Sequence, residues 1–233
     1  MKKTAVCFLF AIIALFILSF YACSNDETTT NNNTIPTTVT DIDGNVYHTI
    51  KIGTQTWTVE NLKVKHYRNG DSIPNVTVDM QWEYLITGAY SIYDNDSNNL
   101  ATYGRLYNWY AVNDSRGLAP AGWHIPTKTE WETLRNFLGG DVVAGGKMKE
   151  TDTIHWLGPN TGATNETGFK GLPGGLRFEG GGCMWIRYEC YFWSSTEQNT
   201  NLGYYSCLKY NNTNLPITSY GKNCGYSVRC IKN

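Results

Sequence analysis

The chain has 233 residues, with 19 Lys and Arg against 20 Asp and Glu, 17% charged residues, 14% aromatic residues and 23 glycines. The near-neutral balance excludes a dedicated nucleic-acid binder, which needs a basic footprint, and a polybasic membrane-surface protein. The ring content is too high for intrinsic disorder, so a turn-rich domain filled by Trp, Tyr and Phe is expected.

Lys2 and Lys3 precede an apolar run from Ala5 to Ala22 that only Ser19 interrupts. The run ends at Cys23, and the chain turns polar at once with Ser24, Asn25, Asp26 and Glu27. This is the three-part layout of an export signal; the length would also permit an uncleaved membrane anchor. A Cys at the apolar-to-polar border, after the small Ala22, resembles the lipobox of bacterial lipoproteins. The resemblance implies that residues 1–23 are a signal peptide and that Cys23 takes the lipid and becomes the mature N-terminus. The expected partner is therefore a membrane, reached through an N-terminal lipid, and the expected location is the outer membrane. Cys7, inside the run, reads as a small hydrophobe. Residues 24–38 have no apolar periodicity and read as a flexible polar tether of roughly 20 Å. The acids after Cys23 resemble the surface-export signal of Bacteroidetes-type lipoproteins, and equally suit a solvated spacer.

Residues 39–233 read as strands, turns and one clear helix. Asp41-Ile-Asp-Gly44 is a turn signal, and Val46, His48, Ile50 and Ile52 alternate with Tyr47, Thr49 and Lys51, which is strand periodicity. Gly53 breaks the alternation and a second strand starts at Gln55, so 46–59 reads as a hairpin. Residues 82–86 suit a short helix, and 89–93 and 106–112 read as extended. Thr127 and Glu130 stand three apart, as in a capping box. Trp131, Leu134 and Leu138 then recur at helical spacing until Gly139-Gly140, which predicts a helix over 128–138. Residues 157–175 suit a long ordered loop, and 191–195, 204–210 and 226–231 read as three successive strands. One helix with several strands and long loops makes an α+β domain.

The segments VYHTIKIGTQTWTVENL (46–62), TGAYSIYDND (87–96), YGRLYNWYAV (103–112), LAPAGWHIPTKTEWETL (118–134), NTGATNETGFKGLPGG (160–175), FWSSTE (192–197) and GYSVRC (225–230) resemble the Fibrobacter succinogenes major paralogous domain, a family of Bacteroidetes and Fibrobacter lipoproteins. That family carries no established activity to transfer. Gly122-Trp-His-Ile-Pro-Thr-x-x-Glu-Trp131 and the terminal Gly-Tyr-Ser-Val-Arg-Cys230 are more remotely similar to formylglycine-generating sulfatase-modifying domains. This second likeness implies a C-type-lectin-like fold: a twisted antiparallel sheet, one main helix and long irregular loops. It does not fix activity.

The body holds Cys183, Cys190, Cys207, Cys224 and Cys230. Export to an oxidising compartment makes disulfides plausible. Cys183–Cys190 closes a short loop and comes first, with Cys207–Cys224 second, and one thiol must stay unpaired. Cys224-x5-Cys230 tempts a copper-thiolate reading. On a strand the two would stand nearly 20 Å apart, at about 3.3 Å per residue. No converging soft ligands accompany them, so no cofactor and no catalytic residue is expected. Asp94-Asn-Asp-Ser-Asn98 opens like a calcium loop, but Asn99 and Arg105 stand where Gly and a bidentate Glu are needed, which favours an Asx-rich turn. The four histidines share no metal-like spacing, and His124 reads as structural, so no metal site is expected. Most of Trp57, Trp109, Trp123, Trp131, Trp185 and Trp193 suit a core. A sugar-stacking platform, if one exists, is expected near 176–193 from Trp185, Tyr188, Tyr191 and Trp193, with Arg177 and Arg187 hydrogen-bonding. Asp71-Ser72-Ile73 and Asp152-Thr153-Ile154 resemble the Bacteroidetes O-glycosylation triplet, implying Ser72 and Thr153 as acceptors.

The expected function is that of an exported surface lipoprotein and non-catalytic binding module for a glycan or protein ligand. A structural or adhesin component of the cell surface is the alternative, and an oxidase of the formylglycine-generating type stands behind both.

Overall fold

A computed structural model describes residues 37–233. The leader, Cys23 and most of the tether lie outside the described residues. Among the described residues no helix is long and apolar enough to cross a membrane. The expected tether is shorter at its far end than read, because Thr38 already pairs with His48.

The fold is mixed and β-rich. Strand β1 (Thr38–Thr40) pairs antiparallel with β2 (Val46–Ile52), and β2 pairs with β3 (Gln55–Thr58) in the expected hairpin. Strand β2 buries Tyr47 and Thr49 on one face at its start and Ile52 on the other at its end. Tyr47 is drawn in by its hydroxyl, which donates to Asp41 at 2.6 Å and accepts from the Lys63 N–H at 2.9 Å. Helix α1 (Asp79–Glu83) falls earlier than the expected 82–86, and the two extended readings shrink to β4 (Tyr90–Ser91) and β5 (Leu106–Tyr107), which pair with each other. Between them lies α2 (Asn98–Tyr103). After β5, Asn108 caps a helical turn, α3 (Trp109–Val112), with its side chain accepting from the Ala111 N–H. Aromatic density there reads as strand, but the Asx cap turns the chain.

Strand β6 (Trp123–His124) leads into α4 (Lys128–Phe137), and the Thr127–Glu130 capping box is present in full. A second helix, α5 (Asp141–Met148), corrects the expectation of one main helix. Its Gly145 and Gly146 lower helix propensity, yet each is buried against another backbone, Gly145 against Asn214 and Gly146 against Gly162. The 157–175 segment is loop up to β7 (Gly174–Arg177). Then come β8 (Cys183–Ile186), β9 (Glu189–Glu197), β10 (Leu202–Lys209), β11 (Ile217–Gly221), which was unforeseen, and β12 (Ile231–Lys232).

The single antiparallel sheet expected is instead two five-stranded sheets, ordered β1-β2-β3-β12-β6 and β11-β10-β9-β7-β8. In the second, β7 and β9 run parallel. Strand β9 divides the interior by its period of two. Cys190 and Phe192 join Trp57, Trp131, Leu134 and Phe169 in one cluster, while Tyr191 and Trp193 join Tyr107, Tyr226 and Val228 in another. Rings fill both: Trp57 and Trp131 are 4.8 Å apart, and Trp193 and Tyr226 are 4.2 Å apart.

Candidate functional site

Several expected site residues are structural. Arg177 is 1% exposed. Its guanidinium donates to the carbonyls of Gly181, Val76 and Thr77 and to Asp79, and lies 4.5 Å over the Trp82 ring. Trp193 is buried with its indole N–H on the Tyr107 carbonyl at 2.7 Å, and Tyr191 is buried with its hydroxyl on Glu189. None of the three can meet a ligand. The strand holding Tyr191 and Trp193 was legible, that holding Arg177 was not, and neither was the face the core takes.

Three of the six remain at the surface. Trp185 is 48% exposed, and Arg187 and Tyr188 are exposed beside it. Trp185 meets Tyr188 edge to face at 6.2 Å, and Tyr188 meets Tyr210 at 5.4 Å. Trp185 and Arg187 hold φ of 70° and 69°, a backbone region that large L side chains rarely adopt. The turn thus presents a short aromatic ridge.

Neither expected disulfide is formed, and all five cysteines are free thiols. Cys183 accepts a hydrogen bond from the Asp94 N–H. Cys190 sits opposite Leu208, while Cys207 sits opposite Tyr191, so the two belong to opposite faces of the sheet and to different clusters. Burial first of all pushes Cys207, Cys224 and Cys230 up to about 12, so none is a thiolate at neutral pH.

Asp94–Asn98 is an Asx-rich turn: Asp96 Oδ1 accepts from the Asn98 N–H, and Asn95 donates to the Thr77 carbonyl. His124 binds side chains rather than backbone, Glu130 at 2.8 Å and Asn233 at 2.6 Å. Sequence reading missed one ligand-type cluster. Glu150, Asp152 and His155 bring their ligand atoms within 4.8 Å of one another. The spacing Glu-x-Asp-x-x-His was its only signal. The buried Glu150 carboxylate is engaged by His155 at 2.7 Å and by Lys170 at 3.8 Å. Ser72 and Thr153 are both exposed.

The concave surface lies elsewhere. A cavity of about 470 Å³ is lined by Glu83, Tyr84, Tyr110, Glu179, Tyr220 and Asn223 among others. Trp82, next to Glu83 in α1, is fully buried, and its indole N–H donates to the Asn223 carbonyl at 2.6 Å. Arg177 stacks on that same ring and anchors Asp79 at the start of α1, so it sets the helix whose far end carries Glu83 and Tyr84. Tyr110 is placed by α3, which Lys222 fixes from below: its carbonyl accepts from the Trp109 N–H, and its ammonium lies 4.4 Å over the Trp109 ring. Asn223 donates its side-chain N–H to the Glu83 carbonyl at 3.0 Å, which leaves its Oδ1 facing Gly221. A Cβ on Gly221 would stand 2.7 Å from Glu179 Oε2 and 3.2 Å from Asn223 Oδ1. The missing side chain at Gly221 therefore lets two hydrogen-bond acceptors pack against its backbone. Among the described residues, the carboxylates of Glu83 and Glu179 have neither an ion-pair nor a hydrogen-bond partner.

A second cavity of about 470 Å³ shares Ile86 and Tyr110 with the first and runs on past Ser72, Trp109, Asp114 and Arg116. There Arg116 is held by Asp114 at 2.8 and 2.9 Å and by Asp71 at 3.1 Å, above the Tyr67 ring. The two cavities meet at a Tyr110–Ile86 saddle that lines both. Tyr84 and Ile86 on the rim of the first are 73% and 79% exposed. Such a concave surface, aromatic with a few placed polar groups, has the character of a ligand site.

Residues 50–232 match the Fibrobacter succinogenes major domain, and the chain belongs to that family. No curated protein and no solved structure matches it significantly.

Proposed function

We propose that this member of the Fibrobacter succinogenes major domain family is a lipid-anchored, exported, non-catalytic module that recognises a glycan in the Tyr84–Tyr110–Tyr220 groove. The observation that carries this reading is a contrast in side-chain use. Most large rings are buried in the two clusters, whereas the groove keeps three tyrosines, two carboxylates and a carboxamide oxygen open to solvent. Flat ring faces take the apolar side of a sugar, and carboxylates and carboxamides take its hydroxyls. The C-type-lectin-like architecture, taken from the likeness of the helix-entry and closing segments, accords with the β-rich fold and long loops. Anchoring at the outer membrane rests on the leader and on Cys23.

The full-length protein on a glycan array tests the reading. Tyr84→Ala and Tyr220→Ala should each lower affinity for a retained glycan about tenfold or more, with melting temperature unchanged. No retained glycan, or groove variants that bind like the parent, would reject it. A second reading uses the ridge, because Trp185 is held outward at a cost in backbone strain. Trp185→Gly should then abolish binding while groove variants keep it. Acyl labelling of parent against Cys23→Ser checks the anchor.

A further inference from the structure

Resting on that reading of the groove, we propose that its ligand is an amino-sugar chain: an extended glycan carrying free ammonium groups. The charge inventory is one-sided. Glu83 and Glu179 line the first cavity with no cation beside them. The only cation lining the second is Arg116, and it is paired with Asp114 and Asp71. The first cavity thus presents acid without base, while the second carries a matched ion pair. A uronate or sialylated chain would place like charges against Glu83 and Glu179, a form of discrimination by repulsion. An ammonium group instead forms charge-assisted hydrogen bonds to a carboxylate, stronger than those a neutral hydroxyl forms.

The position of that group is also indicated. Glu179 Oε2 and Asn223 Oδ1 both lie close against Gly221 and so near each other. Two neighbouring acceptors suit a donor-only group such as –NH3+, which has protons to give and no lone pair to clash. The shared Tyr110 saddle makes the binding surface longer than one cavity, so a chain of several sugars fits it better than a single residue. A basic peptide offers the same ammonium groups. It lacks the flat rigid rings that three separated tyrosines and the carboxamides of Asn201 and Asn223 would engage.

The test is titration calorimetry on the full-length protein at pH 5.5, where glutamates are ionised and sugar amines protonated. The probes are the glucosamine hexamer and dimer, the N-acetylglucosamine hexamer, a galacturonate hexamer and hexalysine. The glucosamine hexamer should bind about tenfold or more tighter than its N-acetylated counterpart and its own dimer, and galacturonate should not bind. Glu179→Gln and, separately, the exposed Glu83→Gln should remove the preference for the free amine at unchanged melting temperature. Equal binding of the two hexamers would overturn the charge inference and leave the glycan reading standing. Binding of none of the sugars would overturn both. Hexalysine binding as tightly as the glucosamine hexamer, with the same loss in both variants, would overturn the sugar in favour of a basic peptide.

Discussion

The interior and the groove treat charge in opposite ways. Inside, Arg229 is fully buried, and its guanidinium donates to the carbonyls of Thr58, Val59, Phe169 and Lys170 and to Asn61. Lys149 is equally buried, and its ammonium caps the carbonyls of Thr161, Lys209 and Asn212, each at 2.9 Å. Arg177 does the same for Val76, Thr77 and Gly181. Long loops carry many backbone carbonyls that no strand or helix satisfies, and a buried cation gathers several at once. In the groove, Glu83 and Glu179 gather nothing. Buried charge here builds the scaffold, and unpartnered charge marks what is left for a ligand.

That contrast breaks first at Arg229. Arg229→Leu removes the guanidinium from the buried carbonyls of Thr58 and Phe169 and the part-buried ones of Val59 and Lys170, and a buried carbonyl left bare costs about 1–3 kcal/mol. A loss of at least about 3 kcal/mol is expected in urea unfolding, or failure to fold; a loss under about 1 kcal/mol would show that the guanidinium is not what ties the loops. Next is Gly145→Ala. Helix propensity alone favours alanine by about 1 kcal/mol. Its Cβ would collide with the Asn214 carbonyl, so destabilisation of about 2 kcal/mol is expected instead. A stabilised variant would mean that α5 does not press on residues 213–214.

Lys149 offers a pH readout. Burial lowers its pKa to about 8 from an ordinary value near 10.5. The folded state therefore loses this proton before the unfolded state does. Between pH 8 and 10.5 the unfolded chain binds more protons at this position, so this residue's contribution to stability rises with pH across that window. Buried tyrosines and cysteines, raised by desolvation, act in the opposite sense. The measurement is thus the difference in urea midpoint between parent and Lys149→Met at pH 7.5 and 10. It should shift toward the parent as pH rises, and a constant difference would contradict it. Last and smallest, Glu83→Gln with Glu179→Gln should leave unfolding free energy within about 0.5 kcal/mol of the parent. A larger loss would turn the groove into part of the scaffold.

How much of this could be read beforehand depended on how local each signal is. The 46–58 hairpin and the capped helix at Thr127 were legible, because alternation, a breaking glycine and a capping box act within a few residues. Helix α5 was hidden, because the glycines that weaken it locally are required by backbone at Asn214 and Gly162, outside the helix. Strand β11 was hidden too, its Ile217–Gly221 run being held by pairing with β10. At the site, Trp185, Arg187 and Tyr188 lie at the surface. Arg177, Tyr191 and Trp193 were drawn from the same short stretch and turned out to be interior. Residue types were the same, but Arg187 and Tyr188 sit in the turn between β8 and β9, whereas Arg177, Tyr191 and Trp193 sit in strands with their side chains buried. The groove itself had no signature, since Tyr84, Tyr110, Glu179 and Tyr220 lie far apart along the chain.

By itself, the sequence determined the ring-filled mixed α and β domain, the hairpin, the capped helix and the family, because each is carried by short-range pattern or by contiguous motifs. The tertiary structure alone decided which thiols stay apart, which cations bind carbonyls and which carboxylates are left without partners. Those outcomes depend on which distant groups share a small dry volume. Local spacing carries no record of that, since the cost of an unmet charge or carbonyl is settled only when the neighbours that would meet it are in place.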